Sequence, residues 1–219
     1  MAVRRKKLSP KQKRKKDIKL IVKANQLVEA KYMFDIWEMR VFLSLVSLIS
    51  TYDDDEKVYR IWFKDIKNNF KIKTKSYKFF RDAVDRLFEK SLVIGYMKDG
   101  YEREKKHHLI RSTDALKSGQ EGINIEHQEY IDVKIDSEIR PYLLDIRKRF
   151  DPAKDRYTSY ELRNVIDLQS YGIRIYELLK QFENLGSRVI KIQALKMLLI
   201  LLMNTQDFQI FIKRLLKNL

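Results

Sequence analysis

The sequence predicts an α+β fold, mostly helical, and three observations predict it. Only six Gly and three Pro occur in 219 residues, too few chain breakers for a turn-rich all-β protein. Several long stretches place apolar residues at i, i+3, i+4 and i+7, the spacing of a helix with one buried face. Short runs at 58–63, 91–97, 101–112 and 129–135 alternate enough to be strands. Hydrophobic residues make up 44% of the chain, enough for a globular core of one large or two small domains.

Charge and cysteine content narrow the function. There is no cysteine, so disulfide scaffolds, thiolate zinc sites and cysteine nucleophiles are excluded. The net charge is +16. The first twenty residues hold ten Lys/Arg against one Asp, so +9 sits there and +7 is spread over the rest. That balance points to a polyanion, nucleic acid first and an anionic membrane surface second. The basic start is followed by polar residues and not by an apolar signal core. The longest apolar run, 197–203, is too short to span a bilayer.

Residues 1–17 read as a solvated basic arm, with Arg4-Arg5-Lys6-Lys7 and Lys13-Arg14-Lys15-Lys16 repelling one another. Such an arm can lie along phosphates or in a minor groove. Residues 35–49 read as a helix. Asp35 is its N-cap, and Glu38 completes a capping box three residues on. This helix is apolar nearly all round, so its second side is covered by its own chain or, in a homodimer, by a second copy. The acidic run Asp53-Asp54-Asp55-Glu56 lacks EF-hand spacing and reads as a polar loop.

Next come a strand at 58–63, a short helix at 63–70, a basic turn at 71–76 and a longer helix to Lys90. Thr74 or Ser76 stands where the N-cap of the longer helix would be. Tyr77, Phe80, Ala83, Val84, Leu87 and Phe88 form its apolar stripe, while Lys75, Lys78, Arg81 and Arg86 lie off it. Short helix, basic turn and longer helix make a helix-turn-helix. A strand to Met97, a turn at Lys98-Asp99-Gly100 and a basic return strand with Arg103, Lys105, Lys106 and Arg111 add a wing. Adjacent His107 and His108 point to opposite faces of that strand, so they cannot form the His-x-His metal pair of a DNA-nicking enzyme. No Gly-rich phosphate loop is present, no carboxylate spacing marks an acid/base pair, and no cofactor or enzyme activity is expected.

Beyond a polar loop at 113–122, Ser137 can cap a helix at 138–150 with Pro141 early in it. A helix at 157–166 follows. Then comes the stretch Leu168-Gln-Ser-Tyr-Gly-Ile-Arg-Ile-Tyr-Glu-Leu-Leu-Lys-Gln-Phe182, read as a helix from Tyr171 with Ser170 as N-cap. Ile175, Leu178, Leu179 and Phe182 fall on one face. Arg174 and Lys180 fall off it, and Arg174 could share a phosphate with the helix start. Two further helices are expected at 189–202 and 205–219, the last offering Gln206, Gln209, Lys213 and Arg214 to DNA.

The positions Leu168, Ser170, Ile173, Arg174, Tyr176, Glu177, Leu178 and Leu179 resemble a signature of iteron-binding plasmid replication initiators, the Rep_3 family, in their second winged helix. The run at 21–32 resembles the entry to the family's first winged helix, as does Tyr-Arg-Ile-x-Phe-Lys-Asp at 59–65. The run at 139–150 resembles its interdomain connector. The resemblance implies tandem winged helices: a first domain at 18–135 and a second at 136–219. The chain stops at Leu219 before a second wing, so that domain reads as incomplete. It also implies a cytoplasmic, plasmid-associated bacterial protein that binds direct repeats in double-stranded DNA at an origin. A homodimer would repress its own gene, and a host initiator and helicase would be partners. The DNA-binding set is then Lys75, Ser76, Lys78 and Arg81 in the first domain, and Ser170, Arg174, Lys180, Lys213 and Arg214 in the second. Alternative readings are a winged-helix repressor without initiation, and a basic protein that binds other proteins or a membrane surface.

Overall fold

A computed structural model describes residues 19–50, 52–74, 77–115, 129–143, 157–199 and 213. Among these lie seven strands and six α-helices, so the mixed class holds, with a larger share of strand than expected. The basic arm at 1–17 and most of the 205–219 stretch fall outside the described residues.

Strand β1 (Leu20–Ala24) leads into a four-residue helix α1 (Asn25–Val28). Tyr32 and Phe34 follow, buried, with ring centres 4.5 Å apart and both edge-on to Phe42. Helix α2 (Ile36–Leu48) starts as its sequence dictates. The Asp35 carboxylate accepts from the N–H groups of Trp37 and Glu38, and Glu38 accepts from the Asp35 N–H at 2.7 Å. Met39, Val41, Phe42, Leu43, Leu45 and Val46 are all buried, so this chain itself covers both apolar sides of α2.

Strand β2 (Val58–Trp62) buries Tyr59 and Ile61 and exposes the alternate residues. It pairs antiparallel with β6 (Tyr130–Ile135), which pairs on its other side with β5 (Ile110–Asp114). Helices α3 (Phe63–Asn69) and α4 (Lys78–Glu89) are followed by the hairpin β3 (Ser91–Lys98) and β4 (Tyr101–His108). The two hairpin-loop residues, Asp99 and Gly100, both have positive φ, the combination a tight hairpin turn of matching twist requires. The expected single return strand at 101–112 is in fact two. It breaks at buried Leu109, whose carbonyl accepts from the Asp136 N–H at 3.1 Å, and the chain crosses into the other sheet.

The expected helix at 157–166 is instead strand β7 (Tyr157–Glu161) and a 3-10 turn at Leu162–Asn164. Thr158 and Tyr160 are buried and their neighbours less so, a period of two. The backbone pairs with β1 from Leu20↔Glu161 to Ala24↔Tyr157, a partner that local sequence does not reveal. The helix expected at 138–150 begins as a 3-10 turn at Arg140–Tyr142 with Pro141 in its first positions; residues 144–150 lie outside the described set. Asp136, and not Ser137, serves its start by accepting from the Glu138 N–H at 2.8 Å.

Helix α5 spans Ser170–Lys180 with Gln169 at the N-cap position. Ser170 is therefore inside the helix and not its cap, and its hydroxyl donates to the Phe34 carbonyl. The buried face holds Ile173, Arg174, Glu177 and Leu178, while Leu179 is 47% exposed. Gly186, left-handed at φ +70°, ends a short 3-10 turn, and α6 (Ile192–Leu198) follows. One hydrophobic cluster runs from Ile21 through α2, α3, α4 and the three-stranded sheet to Tyr160, Leu162, Val165 and Ile173. The boundary expected between residues 135 and 136 thus falls within a continuous core.

Candidate nucleic-acid interface

Helices α3 and α4 form the helix-turn-helix. Phe63, Ile66 and Phe70 bury one side of the first element, and Phe80, Ala83, Val84 and Leu87 bury one side of the second. The Phe63 ring stacks on Phe80 at 5.8 Å and meets Tyr77 edge-on at the same distance. Tyr77 donates its hydroxyl to the Tyr130 carbonyl at 3.2 Å, pinning the start of α4 to β6. Phe88, expected in the apolar stripe, is 43% exposed. Tyr77 stands at the N-cap position of α4, and its side chain makes no capping hydrogen bond.

The outer side of this unit is basic. Residues 64–81 contain seven Lys/Arg (Lys64, Lys67, Lys71, Lys73, Lys75, Lys78 and Arg81) against one acid, Asp65. Lys64 lies 4.4 Å from the Trp62 ring centre and Lys67 lies 5.2 Å from that of Phe63. Both are thus held in place by aromatic faces. Lys78 is exposed on the first turn of α4 and Arg81 is half-buried; Lys75 and Ser76 lie outside the described residues. Arg86, read as an outward cation, is instead spent on the start of α2. It donates to Glu38 at 2.8 Å and to Asp35 at 2.7 Å, and Lys90 pairs with Glu38 at 2.6 Å. The sequence reading named Lys75, Lys78 and Arg81 but passed over Lys64, Lys67, Lys71 and Lys73. The local excess of cations over acids was the signal that could have found them.

The β3–β4 hairpin stands beside this unit as a wing. Lys31 and Val93 exchange backbone hydrogen bonds of 2.8 and 3.0 Å, anchoring β3 to the loop after α1. Arg103 and Lys106 are exposed on β4. Lys105 pairs with Glu138, and Lys31 with Glu104. His107 is 4% exposed and His108 is exposed, on opposite faces as their adjacency requires. Among the described residues no group of three His, Cys, Asp or Glu could hold a metal.

The second set of expected DNA contacts is placed differently. Arg174 does not reach solvent; it is 2% exposed. Its guanidinium donates to the carbonyls of Val28 at 2.9 Å and Ala30 at 2.7 Å and to the Tyr32 hydroxyl at 2.7 Å, and lies 3.9 Å from the Tyr32 ring centre. Glu177, one turn on, accepts from the Tyr160 hydroxyl and pairs with Lys23. Burial raises the Tyr32 and Tyr160 hydroxyls far above their ordinary range. Burial also lowers the Lys23 ammonium, against the attraction of Glu177. Arg174 thus clamps α5 onto the α1–α2 loop, and its unpaired Nε is buried with the rest of the side chain, out of reach of a phosphate on the surface. A periodicity argument discards an arginine from a core face, because an unpartnered charge there is costly; the partners are backbone carbonyls distant in sequence. Lys180 is at the surface, paired with Glu183, which raises its pKa. Lys213 is helical and exposed, and Arg214 lies outside the described residues. Arg174 is therefore buried, and Ser170 is half-buried with its hydroxyl spent on Phe34.

Strand, helix, turn, helix and basic hairpin packed on one apolar helix define a winged-helix protein. Residues 20–180 match the family model described as initiator replication protein, WH1, and the chain belongs to that family. The match runs through β7 and α5. The Leu168–Leu179 signature, assigned above to a second winged helix, therefore sits within the WH1 unit. Domains 2 and 3 of RctB are similar at 13% identity, covering 85% of this chain and 69% of that one, with a TM-score of 0.52. The WH1 domain of MSBI1.176, a replication protein isolated from a multiple sclerosis patient, is similar at 10% identity over 53% of this chain and 84% of that one, with a TM-score of 0.35. No curated protein matches the chain. Among the described residues no helix is long and apolar enough to cross a membrane.

Proposed function

We propose that this chain is a plasmid replication initiator that binds double-stranded DNA at direct repeats of an origin. The observation that carries the reading is the excess of seven cations over one acid in residues 64–81, from α3 through the turn to the first turn of α4, within a chain of the initiator WH1 family. Lysines held by aromatic faces reach phosphates and fix register, while α4 meets base edges in the major groove. The wing adds Arg103 and Lys106 alongside, and the arm at 1–17 adds a further counter-ion-releasing segment. Autorepression by a homodimer, a second base-reading domain carrying Lys213 and Arg214, and recruitment of a host initiator and helicase belong to the same reading. No catalytic step and no cofactor is assigned to the chain itself. The test is twofold. Purified protein should prefer duplex carrying the repeats beside its own gene over scrambled duplex, and a minimal replicon should be lost from cells when the gene is disrupted. Binding without replicon loss would favour a repressor; tighter binding to anionic vesicles than to duplex at equal salt would contradict the reading.

A further inference from the structure

We infer that Arg40 of α2 is a phosphate anchor at the elbow of the helix-turn-helix, presenting an unpaired guanidinium to the DNA backbone. The inference rests on the DNA-binding reading above and adds a residue from outside the two helices that form the motif. The Arg40 guanidinium carbon lies 5.5 Å from the Trp37 ring centre and 5.8 Å from that of Phe70. Each ring touches one helix of the motif. Phe70 is the residue that ends α3, and Trp37 stacks on Phe79 of the first turn of α4 at 5.9 Å, 19° from parallel. Arg40 is thus fixed by the start of one helix and the end of the other.

What singles it out is how the other covered arginines are spent. Arg86 binds Asp35 and Glu38, Arg140 binds Asp55 and the Asp54 carbonyl, Arg174 binds two carbonyls and a hydroxyl, and Arg188 binds Glu29, Gln181 and the Leu178 carbonyl. Arg40 makes no hydrogen bond and no ion pair among the described residues, and its Nε is buried without a partner. A half-buried cation with no acceptor, in a unit whose residues 64–81 bear seven other cations, is unfavourable in the free protein. Burial alone lowers its pKa, yet an arginine does not give up its proton in a protein. Aromatic packing orders the planar fork and leaves its donors unspent. A phosphate oxygen pair is the acceptor that matches such a fork bidentately. The phosphodiester backbone of a duplex docked on α3 and α4 supplies it to the two terminal NH2 groups, while the Nε stays buried.

The test compares wild type with Arg40→Met and Arg40→Lys in duplex binding over a range of salt, using both the repeat duplex and a scrambled one. Arg40→Met keeps an unbranched, apolar filler between the two rings. It should weaken binding to both duplexes by ~10-fold and reduce the slope of log K against log salt by about 0.9, one phosphate's worth. Arg40→Lys keeps the charge but loses the fork; it should keep the slope and lose several-fold in affinity. This variant also decides the matter if the methionine variant fails to fold. An Arg40→Met protein with the wild-type circular dichroism and an unchanged salt slope would overturn the inference, as would Arg40→Lys binding as tightly as wild type. Inorganic phosphate raising the melting temperature of wild type but not of Arg40→Met, with both binding duplex equally, would also overturn it, by assigning the site to a free anion. Wild type failing to bind any duplex would sink the DNA-binding reading itself, a different outcome from wild type binding and the variants matching it.

Discussion

The ammonium of Lys23 and the carboxylate of Glu177 form an ion pair with both side chains wholly removed from solvent. Lys23 lies in β1 and Glu177 in α5, so the pair joins the two ends of the WH1 unit. Tyr160 donates to the same carboxylate, and Arg174 stands 3.5 Å away. Removing one partner strands the other charge in the core. Glu177→Ala should therefore lower the free energy of urea unfolding by about 3–5 kcal/mol. The double variant Lys23→Met/Glu177→Leu should recover more than half of that loss, because an apolar pair carries no desolvation cost. Losses that add in the double variant would contradict this account of the pair.

Arg174 separates a structural role from a DNA-binding one. Arg174→Ala should cost about 3–5 kcal/mol, since it orphans two carbonyls and leaves Glu177 with less positive surroundings. At a temperature where the variant remains folded, its salt slope in duplex binding should equal that of wild type. A smaller slope would place Arg174 on the phosphate backbone after all.

The lysines on the outer side of α3 and α4 should behave in the opposite way. Lys64→Ala, Lys67→Ala and Lys78→Ala should leave the urea midpoint nearly unchanged, as surface substitutions do. Each that contacts a phosphate should reduce the salt slope by about 0.9 and weaken repeat and scrambled duplex alike. Deleting residues 1–17 should reduce the slope further. If stability falls and slopes stay constant, the basic side of α3 and α4 is only a soluble surface.

His107 gives the fold a pH dependence. Its ring is buried, neither nitrogen has a hydrogen-bond partner, and it packs edge-on to Tyr142 at 5.8 Å. Burial lowers its pKa below the ordinary 6.5. Lys105 lowers it further, while Glu138 and Asp136 oppose the shift. Below pH 6.5 the unfolded chain binds this proton before the folded one does. Stability from His107 is thus complete above 6.5 and lost as pH falls toward the lowered folded value. Unfolding free energies measured at pH 7.5 and 5.5 should differ less in His107→Phe than in wild type. Equal differences would show that other groups set the acid limit.

Much of the first half was legible because its signals are local. Asp35 and Glu38 state the start of α2 within four residues, and the helix-turn-helix follows from apolar stripes in α3 and α4. What escaped depends on pairing across long separations. Thr158 and Tyr160 alternate over only five residues, and β7 exists because β1 lies beside it. Arg174 reads as a surface cation until the carbonyls of Val28 and Ala30 are brought to it across more than 140 residues. Within the candidate interface, the lysines of α3 are not legible from a helix-turn-helix pattern, which points to the second helix as the one that enters a groove. Arg40 is not legible in the sequence because it sits in a helix that is apolar nearly all round.

The most direct test is the affinity of the purified full chain, at physiological salt, for duplex carrying the repeats beside its own gene, set against scrambled duplex of the same length. The account predicts a preference of ~10³-fold or more, the low end for proteins that read sequence, with Lys78→Ala weakening both duplexes. Equal affinity for the two, falling together as salt rises, would mean that phosphate attraction alone holds the complex, and would contradict recognition of origin repeats by this chain.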